Sequence, residues 1–299
     1  MNVNVSVKKG VIISFGVFDG VHIGHQALIQ RMLKRASELG VEAVVLTFDP
    51  HPALSTSGAA PPSITTIEKK IELLKTQGIN GVVVEDFNEG FSQLSPEEFI
   101  HDILLTKFNA QEIVVGYDCA FGKNRAGDKW LLKKLGETYG AVVEIVEPYK
   151  LNGEVVSSTR VRNAIQQGNL DLANTLLGRL YSISGTVVSG KGIGKKLGFA
   201  TANLQTNNEV LPPSGVYAVK VYVNERLFNG VLNMGIQPTM SDGEFRIEAH
   251  ILDFEGKLYG HCMEIFFVNK IRDERVFASP KDLAEQIGKD ELIAREILG

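Results

Sequence analysis

Cysteine is nearly absent. The 299 residues contain two, Cys119 and Cys262, far apart and in neither a metal-binding nor a redox spacing. That argues against a disulfide framework and for a reducing compartment, so a cytoplasmic protein is expected. An excess of charge is missing too. The formal net charge is −4, so no broad cationic field attracts nucleic acid. No apolar run approaches a membrane span, and the opening MNVNVSVKKG lacks the apolar core of a signal peptide. Internal repeats and low-complexity tracts do not stand out. What is present, 44% hydrophobic and 22% charged residues, suits a soluble globular chain with room for two domains.

The first half alternates two periodicities. Strand-like runs at Val11–Phe15, Glu42–Phe48, Gly81–Glu85, Glu112–Val115 and Val142–Val146 are separated by helical patterns at Gln26–Leu39, Thr66–Gln77, Pro96–Thr106 and Lys129–Tyr139. This alternation predicts an α/β parallel sheet with helices on both faces, its ligand at the C-terminal strand ends. Ser55–Ser63, rich in small residues and proline, reads as a mobile loop. Asn163–Leu177 reads as a helical connector. Near Gly178 the pattern changes to short β-rich runs: Tyr181–Ser189, Gly215–Val223, Leu227–Met234, Arg246–Phe254 and Met263–Lys270. These predict an antiparallel sheet or small barrel, closed by a helix over Pro280–Leu298.

Three stretches carry chemistry. The first is GVFDGVHIGHQAL, residues 16–28. Gly16, Gly20 and Gly24 let backbone amides approach an anion where a helix begins. His22 and His25 are donors to phosphate near neutral pH and would steady charge on an α-phosphate. The alternative is that both rings only pack. Zinc is disfavoured, because no cysteine or third histidine has ligand spacing nearby. The second stretch, VSSTRVR at 156–162, offers hydroxyls and guanidinium groups ahead of a helix. It reads equally as a polyphosphate grip or as an N-cap followed by surface arginines. The third, GKGIGKKLGFATAN at 190–203, combines glycines and lysines with oxygen donors suited to Mg²⁺. It is not a P-loop, and a flexible basic hairpin explains it as well.

Gly16–His25 followed by Ser157–Arg162 resembles the adenylyltransferase module of prokaryotic FAD synthetases, the riboflavin kinase/FMN adenylyltransferase family. TFDPHP at 47–52 and GYDCAFG at 116–122 match too, and the resemblance spans about residues 10–298. It implies a Rossmann-like parallel-sheet nucleotidyltransferase domain over 1–178 and an antiparallel β-barrel, riboflavin-kinase-like domain over 179–299. FMN would attack the α-phosphate of ATP, leaving FAD and pyrophosphate. His22, His25 and Arg162 would act on the phosphates. Gly16, Phe18, Asp19, Gly24, Asp118, Ser158 and Thr159 would line the nucleotide or flavin site. Cys119 stands where the family usually has an aromatic residue.

The resemblance also implies a kinase site in the second domain. Gly194 and Lys195 would face ATP, Thr201 and Asn203 would hold Mg²⁺ and phosphate, and Glu248 would be the general base on riboflavin. Three positions depart from the pattern: Ala200 replaces proline, and Lys195 and Gln237 replace arginine. Loss of proline loosens the loop that aims Thr201, and lysine lacks the planar fork. The expectation is an FAD synthetase whose riboflavin kinase activity is weakened or lost. Alternatives are a second domain that only senses flavin, or a nucleotidyltransferase with another acceptor. Class I aminoacyl-tRNA synthetases also carry His-Ile-Gly-His, but no Lys-Met-Ser-Lys-Ser counterpart occurs here. The expected partners are small molecules, ATP, FMN and riboflavin, with neither nucleic acid nor membrane. The oligomeric state is left open.

Overall fold

The computed structural model describes residues 10–190, 199–236 and 245–299. The chain forms two compact units, one ending at Ser158 and one running from Thr159 to Gly299.

The first unit is built on β1 (Val11–Phe15), β2 (Glu42–Asp49), β3 (Gly81–Asp86), β4 (Ala110–Gly116) and, beyond the two-residue strands β5 (Ala120–Phe121) and β6 (Gly127–Asp128), β7 (Val142–Val146). β8 (Lys150–Leu151) and β9 (Glu154–Val155) form a separate small pair. The five long strands form one parallel sheet in the order β3-β2-β1-β4-β7. Strand β1, VIISF, is buried at every position, as a strand covered on both faces must be. Its odd residues Val11, Ile13 and Phe15 pack with Phe99, Ile100 and Leu132. Its even residue Ile12 packs with Ile29, Met32 and Leu74 on the opposite face. The order reverses at β1, between β2 and β4, so a crevice opens at their C-terminal ends.

The helices of this unit are α1 (Ile23–Leu39), α2 (Pro52–Ser57), α3 (Ile67–Thr76), α4 (Glu89–Ser92), α5 (Pro96–Glu98) and α6 (Lys129–Tyr139). The segment expected as a loop, Ser55–Ser63, instead begins inside α2. His51 caps that helix through Nδ1, and Pro52 suits its first turn. The helix expected over Pro96–Thr106 starts with a Ser95 capping box. It then widens to a π-helix over Phe99–Lys107, closed by the Phe108 N–H to Ile103 O bond of 3.2 Å.

The second unit opens with α7 (Ser158–Gln166), whose first residue belongs to the first unit, and α8 (Leu170–Leu177). Gly168 at φ +76° turns the chain between them, splitting the expected connector in two. Both helices cluster with the barrel although the composition changes only near Gly178. Asn174 on α8 explains part of this: its Oδ1 accepts the Tyr181 N–H at 2.6 Å and its Nδ2 donates to Phe267 O at 3.4 Å. The closed antiparallel barrel runs β10 (Ser182–Val188), β11 (Thr201–Thr206), β14 (Phe245–Ile251), β13 (Arg226–Ile236), β12 (Gly215–Val223), β15 (Cys262–Arg272). β11 was not among the strands expected: Ala202 and Leu204 are its apolar residues, and only Leu204 of the six is buried. Helix α9 (Pro280–Leu298) lies on the barrel, with Ala294 against Val216, Ala218 and Val231. Arg272 grips the buried Asp290 at 2.8 Å.

Gly185 allows β10 and β11 to close. A Cβ there would stand 2.0 Å from the Gln205 carbonyl oxygen. Gly185→Ala should therefore destabilise the barrel by about 1–3 kcal/mol. Gly288, inside α9 with open space around it, should do the opposite on mutation to alanine, gaining roughly 0.5–1 kcal/mol. Scanning calorimetry of both variants checks the two signs.

Candidate active sites

The first site begins where β1 ends. Gly16 N–H donates to Leu46 O at 3.0 Å, and the chain then leaves the sheet through a tight turn. Phe18, Gly20 and Val21 have φ of +51°, +76° and +40°. For a β-branched valine this is a strained backbone that its surroundings must impose. The buried Asp19 carboxylate does much of this, accepting from Ile64 N–H at 2.9 Å and Thr65 N–H at 3.2 Å. Gly20 N–H donates to Thr65 Oγ1 at 3.3 Å. Ser158 Oγ donates to Asp19 O at 2.9 Å, and Gln26 Nε2 to Val21 O at 2.9 Å.

The turn delivers His22 as the N-cap of α1. Its Nδ1 accepts the His25 N–H at 3.3 Å, so the proton of its neutral ring sits on Nε2. The two rings are stacked, centroids 3.6 Å apart and 14° from parallel. Gly24 makes the stack fit: a Cβ there would come within 3.2 Å of the His22 ring. His22 is buried, while His25 lines a cavity of about 360 Å³. The histidines are thus unequal: one meets the cavity and the other backs it.

The same cavity gathers Gly16, Phe18, Asp19, Asp118 and Ser158. Its apolar wall includes Phe48, Phe87 and Phe91, whose rings meet at 5.5–5.8 Å. Among the polar lining residues that escaped sequence reasoning are His51 and Arg125. Both lie in or just beyond stretches that carried the resemblance, which was the available signal. Lys70 on α3 also escaped it, because a lysine in an amphipathic helix reads as surface. It is buried. Burial pushes its ammonium pKa down, while Asp19 and Asp49 pull it up. Cys119 lines the cavity as well, and burial with the neighbouring Asp118 charge pushes its thiol up to about 11. It is therefore a neutral packing group at pH 7, not a nucleophile. Thr159 and Arg162 follow on the first turns of α7, and Arg162 is buried.

In the second unit, register organises the other candidates. Thr201 pairs with His250 and Asn203 with Glu248 across β11 and β14. Because side chains alternate, these four share one face of the wall, while Ala202, paired with the fully buried Ala249, takes the other. The four lie on the outer face, where His250 Nε2 comes 3.9 Å from Glu291 of α9. A Cβ on Gly190 would stand 2.1 Å from Asn203 Nδ2, so the carboxamide rests against bare backbone. Hydroxyl, carboxamide and carboxylate oxygens on one face form a donor set that fits Mg²⁺. Gly194, Lys195 and Gln237 lie outside the described residues.

Comparison with known proteins covers both units. The family model of FAD synthetase matches residues 4–160, and that of riboflavin kinase matches residues 177–298. The bifunctional riboflavin kinase/FMN adenylyltransferase of Escherichia coli is 37% identical over 300 residues, covering 100% of this chain and 96% of that protein. The protein of that name from Buchnera aphidicola subsp. Schizaphis graminum is 39% identical over 290 residues, covering 95% and 93%. A crystal structure described as a macrolide-efflux protein from Streptococcus pneumoniae aligns with a TM-score of 0.88 at 31% identity, covering 98% of this chain and 96% of its own. Among the described residues here, no helix is long and apolar enough to cross a membrane.

The Cys119 environment predicts a pH dependence. Exposed Cys262 should be alkylated by iodoacetamide first. The Cys119 rate should still be climbing as pH approaches about 11, read by peptide mass spectrometry. A Cys119 rate that levels off below pH 9 would contradict this burial.

Proposed function

Because the chain belongs to the bifunctional riboflavin kinase/FMN adenylyltransferase family, we propose that it makes FAD from FMN and ATP in its first unit. The second unit carries the riboflavin kinase, slowed by its departures from the family pattern. The observation that carries the first assignment is the pairing, in one cavity, of His25 at a helix N-terminus with an aromatic wall. One end suits phosphate and the other a flavin ring.

In this reading an FMN phosphate oxygen attacks the α-phosphorus of ATP. The bond to the bridging oxygen breaks, and pyrophosphate leaves. His25 donates to the phosphate oxygens where negative charge grows, with the α1 dipole behind it. His22 holds the His25 backbone through Nδ1 and its ring by stacking. Ser158 and Asp19 keep the turn in place. Gly16, Phe18, Gly24 and Asp118 shape the pocket, and Arg125 adds hydrogen-bond donors for phosphate.

In the kinase half, Glu248 takes the proton from the riboflavin hydroxyl as the γ-phosphoryl group arrives. Thr201 and Asn203 would hold Mg²⁺ there, with Gly194 and Lys195 toward ATP. When bound, the metal supplies positive charge that offsets the phosphates. Ala200 and the lysine at 195 support a slower kinase step, through a looser loop and a phosphate contact without the planar fork.

Incubation with FMN, ATP and Mg²⁺ should yield FAD and pyrophosphate in equal amounts. No FAD above background would refute the first assignment. His25→Ala should lower kcat by roughly 10²-fold or more, with a smaller effect on FMN affinity. Riboflavin and ATP should give FMN slowly, and Glu248→Gln should abolish that step while sparing FAD formation. Installing proline at 200 with arginine at 195 and 237 should accelerate it. Fast FMN formation by the unaltered chain would show that the departures cost nothing.

A further inference from the structure

Position 200 has a partner on the neighbouring strand. The His250 ring nitrogen Nδ1 lies 2.8 Å from Ala200 O. A carbonyl can only accept, so Nδ1 carries the hydrogen and donates it, whatever the state of the other nitrogen. His250 also stands directly opposite Thr201 in the ladder. Phe199 meets its ring edge-on, with centroids 5.6 Å apart and planes at 86°. On its far side, Nε2 is 3.9 Å from Glu291. Glu291 is held by Arg295 at 2.9 Å, and Arg295 also pairs with Asp253 at 2.8 Å. The imidazole is therefore fixed from several directions, and it fixes one peptide group.

That peptide matters. Ala200 C=O and Thr201 N–H belong to one planar unit, so a bond to the oxygen orients the backbone from which the Thr201 side chain departs. Proline at 200 would fix φ of that residue, one torsion upstream of this unit. With alanine there, the side-chain bond remains to hold the strand entrance.

We propose that His250 is a positioning residue of the kinase half: it clamps the Ala200–Thr201 peptide and thereby aims Thr201 and Asn203. Its purpose rests on the reading that these two residues hold phosphate and metal. Its mechanism requires no proton transfer. Glu248, two residues away on the same face, remains the general base, and His250 acts through the backbone.

The test uses the full chain and hydrogen exchange of residues 199–203, with and without Mg²⁺ and ATP, and with β12 as a folding control. His250→Phe keeps an aromatic ring beside Phe199 but removes the donor. It should raise exchange in 199–203 about tenfold, leave β12 unchanged, and abolish the protection that Mg²⁺ and ATP confer on the segment. His250→Asn, which can still donate near the Nδ1 position, should retain most of both. Adding Ala200→Pro to His250→Phe should restore part of the lost protection. FAD formation should not change in any of these variants. Parent-like exchange in His250→Phe overturns the clamp. A segment loosened by His250→Phe, but not protected by Mg²⁺ and ATP in the parent, instead overturns the assignment of Thr201 and Asn203 to phosphate, and with it the purpose of the clamp.

Discussion

The first site depends on the buried carboxylate of Asp19. Its oxygens accept from the backbone amides of Ile64 and Thr65, and its own carbonyl accepts from Ser158. Residues distant in sequence are thereby tied to one turn. The turn holds Phe18 and Val21 at positive φ, conformations that neither side chain favours. Without this bracing the strain would relax, and His22 would not arrive at the start of α1 in position to cap it. A charge-assisted bond to backbone N–H groups is well suited to this task, being stronger than a neutral one and directional.

The second site uses a different kind of support. There the sheet itself does the placing: Thr201, Asn203, Glu248 and His250 are set by strand register and alternation. Strain is replaced by repetition, with a side-chain contact at the strand entrance, where Ala200 meets His250. The two halves thus present opposite solutions to placing polar side chains, a strained turn at a helix start and a regular ladder.

The long strands and helices were legible because their periodicities are strong. Gly215–Val223, Lys129–Tyr139 and Pro280–Leu298 begin and end where the pattern places them. β11 was not legible, because the alternation of TANLQT rests on only two apolar residues, Ala202 and Leu204, with neither a β-branched apolar nor an aromatic side chain among them; its pairing with β10 and β14 supplies what its composition lacks. The His-x-Gly-His motif pointed to the turn beside which the cavity lies, yet spacing alone could not distinguish the two rings. Their inequality comes from the cap bond and the stack. Asp19 stood out within the motif, but its bonds to Ile64 and Thr65 span 45 and 46 residues. Lys70 had no local signature, since a buried cation in an amphipathic helix is a product of tertiary packing.

The two-residue period of β11 has a consequence for the fidelity of assembly. Thr201 and Asn203 face outward only while Ala202 and Leu204 take the other face. A slip of one residue would exchange the two sets at once, turning a hydroxyl and a carboxamide into the barrel and two apolar side chains out. Every correctly closed barrel therefore carries these oxygen donors on its outer face, and a slipped register exposes apolar side chains and buries polar ones together.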